Sequence, residues 1–211
     1  MRRLLPLVLL LAVVPVAPAQ AAPPPYHWSS KPIDSQTAAR MRYSYHSGCP
    51  VALKDLRYLT MSYIGWDGAS HTGEMVVHSN SVTAVANAFN RMYDQRFPIR
   101  RMRLVDDYQG SDDRSMADDN TSAFNCRAVS GGSGWSMHAY GQAVDVNPVE
   151  NPYVHSGTVD PPNGKAYATR SPARKGMVTR DVVGDFRVHH WGWGGYFTNS
   201  KDWQHFSRNG K

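Results

Sequence analysis

The chain has 211 residues, 41% hydrophobic, 11% aromatic and 19% charged, with a formal net charge of +6. That balance excludes a largely disordered chain, and 17 Gly with 14 Pro argue for turns and loops rather than a helical bundle. Two cysteines are too few for a disulfide-stapled miniature or a cysteine-rich zinc cluster, and the mild, scattered positive charge gives no reason to expect nucleic acid as a partner.

The first segment reads as a targeting signal. Arg2 and Arg3 precede an apolar run from Leu4 to Val14, and Ala19-Gln20-Ala21 supplies a small-x-small cleavage site. A signal peptide over residues 1–21 is therefore expected, and its removal leaves a net charge of +4. No later stretch is apolar and long enough to span a bilayer, so a secreted, extracellular protein without an integral membrane segment is expected.

Residues 22–47 are rich in Pro, Ser and Ala and read as an N-terminal arm or linker, with order starting near Cys49 and one domain over 48–211. Leu56 to Tyr63 and Gly73 to His78 are β-prone and predict a hairpin turning at Asp67-Gly68. Val82, Val85, Ala86, Phe89 and Tyr93 follow helical spacing and predict a helix over about 81–95, ended at Phe97-Pro98. Ile99 to Val105 alternates and predicts a half-buried strand; 106–125 reads as a polar loop, and Gly131 to Gly134 as a glycine loop. Gln142 to Val146 predicts a short strand, 148–180 a long surface loop, and Thr179 the cap of a short helix through Phe186. Strands outnumber helices without alternating regularly with them, so the expected class is α+β with a small antiparallel sheet.

Three segments carry candidate chemistry: Asn125-Cys126-Arg127, Ser136-Met-His138-Ala-Tyr-Gly141-Gln-Ala143-Val-Asp145, and Asp202-Trp-Gln-His205-Phe206. Gly141 allows a sharp turn after His138, and the period of two puts Ala143, Asp145 and Asn147 on one strand face with Val144 and Val146 toward the core. His138 can then fold back onto Asp145. An imidazole and a carboxylate are good zinc ligands, and His205 is the natural third. By spacing alone, a plain hydrogen-bonded His–Asp pair is favoured over a metal site, and HExxH and Cys-x-x-Cys motifs are absent.

Ser-x-His-x-x-Gly-x-Ala-x-Asp followed by Asp-x-x-His-Phe resembles the signature of the zinc D-alanyl-D-alanine carboxypeptidase family, which includes dipeptidases and L-alanyl-D-glutamate endopeptidases. The resemblance covers roughly residues 48–208. It implies a small antiparallel sheet flanked by helices with long surface loops, the D,D-peptidase and hedgehog-like fold. It implies one zinc ion held by His138, Asp145 and His205, and Asp202 as general base. It also implies Arg127 as a group for the substrate carboxylate or the oxyanion, and Ser136 as a substrate contact. The implied partner is the peptidoglycan stem peptide, met by a monomer at the cell wall. The alternative is a non-catalytic, zinc-stabilised wall-binding domain of the same fold.

Asp202 and His205 are three apart and would face opposite sides of an ideal strand, so Asp202 must sit before the strand or at a bend. His189 and His190 are the next candidates for the base. An oxidising export route makes a Cys49–Cys126 disulfide the expectation, with two free thiols the alternative.

Overall fold

A computed structural model describes residues 22–129 and 132–210. The proposed signal peptide and Gly131 lie outside the described residues. In chain order the strands are β1 (Trp28–Pro32), β2 (Leu56–Gly65), β3 (Ser70–His78), β4 (Pro98–Ile99), β5 (Arg101–Met102), β6 (Asn120–Thr121), β7 (Ala143–Asp145), β8 (Tyr153–His155), β9 (Thr158–Asp160), β10 (Gly192–Trp193), β11 (Lys201–Asp202) and β12 (His205–Ser207). The α-helices are α1 (Ser35–Arg40), α2 (Val82–Asp94), α3 (Asp112–Ala117) and α4 (Arg180–Arg187). The class is α+β, as expected.

The β2–β3 hairpin forms where alternation predicts it, and α2 where the helical spacing does. Val85, Ala86, Phe89, Met92 and Tyr93 make the buried stripe of α2. That stripe joins Leu59 and Met61 of β2, Met75 and Val77 of β3, and Val182 and Phe186 of α4 in the main core. Thr179 caps α4 by accepting the Val182 amide. A second sheet of order β10-β12-β7 reaches the same core through Val144, Val146 and Phe206. The Phe206 ring stacks on Phe186 at 4.1 Å between centroids, which fastens the second sheet to the helical layer.

Several expectations need correction. Order begins well before Cys49: β1 adds to β2 in antiparallel register, Trp28 opposite Met61, and α1 follows with Asp34 as its cap. The polar 106–125 stretch is not one loop. Ser111 accepts the Arg114 amide and starts α3, and β6 pairs in parallel with β5. The predicted strand over 99–105 breaks in two, because β4 pairs with β2 and β5 with β6. Residues 148–180 contain the β8–β9 hairpin and are pinned from inside. The Asn151 amide donates to the carbonyls of Val146, Asn147 and Gly176, and Arg170 donates to those of Glu150 and Val178.

Glu150 and Asp119 are both buried beside that pin. Burial, and then the neighbouring Asp119 carboxylate, pushes the Glu150 carboxyl up to about 8. Its unfolded value is near 4.5, so folding favours the protonated form. The cost of ionising it is therefore absent below that value, grows as pH rises, and is complete above the folded value. Glu150→Gln should flatten this dependence. Its melting temperature should gain on the parent's between pH 5 and pH 9, and a difference constant with pH would refute the argument.

Cys49 and Cys126 are bonded, with 5.8 Å between their Cα atoms and 77 residues of separation. On the chain-entropy relation such a loop is worth up to about 4 kcal/mol. Replacing both by serine should lower the urea midpoint by an equivalent amount, and the unfolded, unreduced parent should titrate no free thiol.

Candidate metal centre

The site is assembled from a turn and two paired strands. Ser136 caps the turn Met137–Tyr140, its hydroxyl accepting the His138 amide at 3.3 Å. Gly141 ends the turn at φ 65°, in the left-handed region. A Cβ there would stand 2.5 Å from the His78 nitrogen, so glycine is required by space as well as by conformation. The chain then enters β7, which pairs antiparallel with β12 so that Asp145 lies opposite His205 and Val144 opposite Phe206.

This brings His138, Asp145 and His205 together, all three buried. His138 Nε2 lies 3.1 Å from Asp145 Oδ2 and 3.2 Å from His205 Nδ1, and His205 Nδ1 lies 3.0 Å from Asp145 Oδ1. The His138 Nδ1 proton is donated to the Ala123 carbonyl at 2.5 Å. That bond sets the tautomer and leaves the Nε2 lone pair turned toward the cluster. Burial alone would raise the Asp145 carboxyl. The two imidazoles, His138 foremost, hold it far below the usual carboxylate range, so it is an anion.

The donor set fits zinc. Two imidazole nitrogens and one carboxylate are ligands of that ion, and a zinc tetrahedron with bonds of about 2.0–2.1 Å has edges of about 3.3 Å. The 3.0–3.2 Å separations are close to that edge length. Three donors also match the ligand count of a site that keeps a fourth position open. Among the described residues the other such cluster, His46 with Cys49 and Cys126, has its two sulfurs joined in the disulfide.

Asp202 sits in β11, and the bend at Trp203–Gln204 separates it from His205 in β12. Its Oδ1 is shut off from solvent and has no hydrogen-bond partner among the described residues. Burial pushes its carboxyl up to about 7. His205 pulls it down, Asp145 pushes it up, and His138 and Arg127 pull it down. The charges that act on Asp202 are thus those of the cluster and of Arg127.

Arg127 is less free than the sequence implied. Its Nη2 pairs with Asp112 Oδ2 at 2.7 Å and its Nη1 donates to the Ala128 carbonyl, while Nε is buried without a partner among the described residues. Its backbone carbonyl accepts the Ser136 amide, which ties it to the turn of the site. His189 takes its electrostatic surroundings from Arg91 and His190, away from the cluster. Sequence reasoning missed Ala123 and Ser122. The first orients His138, and the second exchanges both backbone hydrogen bonds with Asp145. A backbone contribution leaves no residue-type signal. Asp112 lies within the stretch that the sequence reads as a polar loop.

Comparison with known proteins gives no match among curated proteins and none among solved structures. Residues 130–208 match the family model described as D-alanyl-D-alanine carboxypeptidase. That segment carries His138, Asp145, Asp202 and His205, so this part of the chain is similar to the D-alanyl-D-alanine carboxypeptidase family.

Proposed function

We propose that the protein is an exported zinc metallopeptidase of the cell wall. In this reading it hydrolyses a peptide bond in the stem peptides of peptidoglycan, as a D-Ala-D-Ala carboxypeptidase or a related endopeptidase. Residues 1–21 serve as its signal peptide, and the catalytic domain takes in β1 and α1 together with residues 48–211, acting as a monomer. The observation that supports the reading is a three-donor cluster beside Asp202, whose Oδ1 is shut off from solvent without a hydrogen-bond partner among the described residues and whose charge environment is that cluster and Arg127.

Zinc, when bound by His138, Asp145 and His205, supplies activation of a water and polarisation of the scissile carbonyl. The chain's own residues do the rest. The Ala123 carbonyl fixes the ring of His138, and the ladder between β7 and β12 fixes Asp145 against His205. Asp202, a carboxyl pushed toward neutrality, can take the proton of the attacking water and return it to the leaving amine. Arg127 offers charge to the substrate's carboxylate or the oxyanion, with Asp112 orienting its guanidinium. Ser136 caps the turn that carries His138 and is the substrate contact in this reading.

Two predictions separate these roles. The purified protein should contain about one zinc per chain by elemental analysis, and His138→Ala or His205→Ala should lose it. Excess chelator should stop release of alanine or of stem fragments from purified peptidoglycan, followed by mass spectrometry. Full activity in chelator would end the metallopeptidase reading.

Asp202→Asn should keep zinc and melting temperature while turnover falls by about 10²-fold or more, the usual contribution of a positioned general base. Asp145→Asn should lose metal and activity together. Loss of zinc from the Asp202 variant would make that residue a ligand instead of a base.

A further inference from the structure

A groove of about 480 Å³ lies between β3 and the segment that carries β5, and none of its lining residues belongs to the metal centre. Arg100, Arg101 and Arg103 line it, together with Tyr58, whose ring has Lys31 Nζ over one face at 5.4 Å, and Tyr63, whose ring stacks on His71 through one face. The segment is pressed hard against β3. Met102 is buried on Gly73, where a Cβ would stand 2.5 Å from the Met102 Cβ. Alternation about buried Met102 then turns Arg101 and Arg103 away from the core.

The charges around the groove are unequally matched. Glu74, its nearest acid, is held by the Arg40 guanidinium and the Tyr58 hydroxyl. Asp107 lies 3.9 Å from the same Arg40. Arg101 Nε pairs with Asp118 at 3.1 Å, and Arg100 stands 3.7 Å from Asp119 with its guanidinium over the Trp66 ring. Arg103 is exposed. Its backbone is fixed on both sides by the Asn120 amide, yet its guanidinium makes no ion pair or hydrogen bond among the described residues. A rigidly mounted, unmatched guanidinium beside two others and two tyrosine rings is suited to a ligand that alternates anionic groups with flat or polyol surfaces.

We infer that this groove is a second, non-catalytic binding site for a phosphodiester-linked sugar or polyol chain. Its phosphates engage Arg103 and Arg101, and its sugar or polyol units lie on Tyr58 and Tyr63. Guanidinium pairs bidentately with phosphate, and the repeat of such a polymer offers several phosphates to one surface. The choice of the cell wall as the source of that polymer rests on the peptidase reading. The chemistry of the groove does not.

The test is co-sedimentation of the full mature protein with walls that retain their phosphodiester polymer and with the same walls stripped of it by hydrofluoric acid. Hydrolysis of a soluble stem peptide is measured in parallel. The parent protein should bind stripped walls about tenfold more weakly or worse, and Arg103→Glu should weaken binding to intact walls by a similar factor. Both proteins should cleave the soluble peptide equally. Equal binding to the two kinds of wall, or undiminished binding by Arg103→Glu, overturns the inference. If Arg103→Glu melts early, Arg103→Gln decides by the same criteria. Wall binding that behaves as expected in a protein that cleaves no peptide would instead overturn the peptidase reading and leave the groove assignment standing.

Discussion

The antiparallel register of β7 against β12 is the constraint on which the candidate metal centre depends. It sets Asp145 opposite His205 and Val144 opposite Phe206. Strand side chains alternate, so a slip of one residue would turn Phe206 toward the polar cluster and His205 into the hydrocarbon core. The core forbids that slip. Phe206 is fully buried between Phe186 and Trp193, and moving such a ring into water costs roughly 1.5–3 kcal/mol before any imidazole is desolvated. Hydrophobic packing on one face of a three-residue strand thereby dictates where nitrogen and oxygen donors meet on the other.

The turn that delivers His138 is held with similar economy of parts. Ser136 caps it, Gly141 closes it, and the carbonyl of Gly141 accepts the amide of His78 at the end of β3. The long hairpin is thus tied directly to the metal turn. Behind β7, Asn147 and Asn151 bind several carbonyls that irregular backbone would otherwise leave unpaired in the interior. The cluster gathers two imidazoles and one ionised carboxylate away from water. A divalent cation at that point would balance the carboxylate and draw the facing lone pairs together.

Much of this was legible in the sequence, wherever side-chain type and period carry the information. The α2 stripe, the β2–β3 hairpin with its Asp67-Gly68 turn, the Thr179 cap, and the alternation that sets Val144 and Val146 inward all follow from residue identity. The convergence of His138, Asp145 and His205 is legible through the resemblance of the two motifs to a known family, since spacing alone does not require it. The break at Trp203–Gln204 follows from the need to turn Asp202 relative to His205. The rest depends on partners remote in the chain. Nothing in Trp28 to Pro32 marks an edge strand, because its burial is slight and its stability comes from the ladder to β2. The Ala123 carbonyl and the Ser122 backbone act through atoms that every residue possesses. Asp112 becomes the partner of Arg127 only once α3 forms, and its helical cap, Ser111, lies in a stretch whose polarity masks it.

The ligands are also ordered along the chain. His138 and Asp145 are close neighbours, but 60 residues separate Asp145 from His205. A ribosome adding about 5–20 residues per second needs roughly 3–12 s to cover that interval. During that time the nascent chain holds two donors of the three, and β7 lacks the strand that would carry the last one to it. The third donor of the candidate cluster is consequently the last to arrive, together with Phe206 in its slot beside Phe186. The step that completes the core is the same step that completes the candidate metal centre.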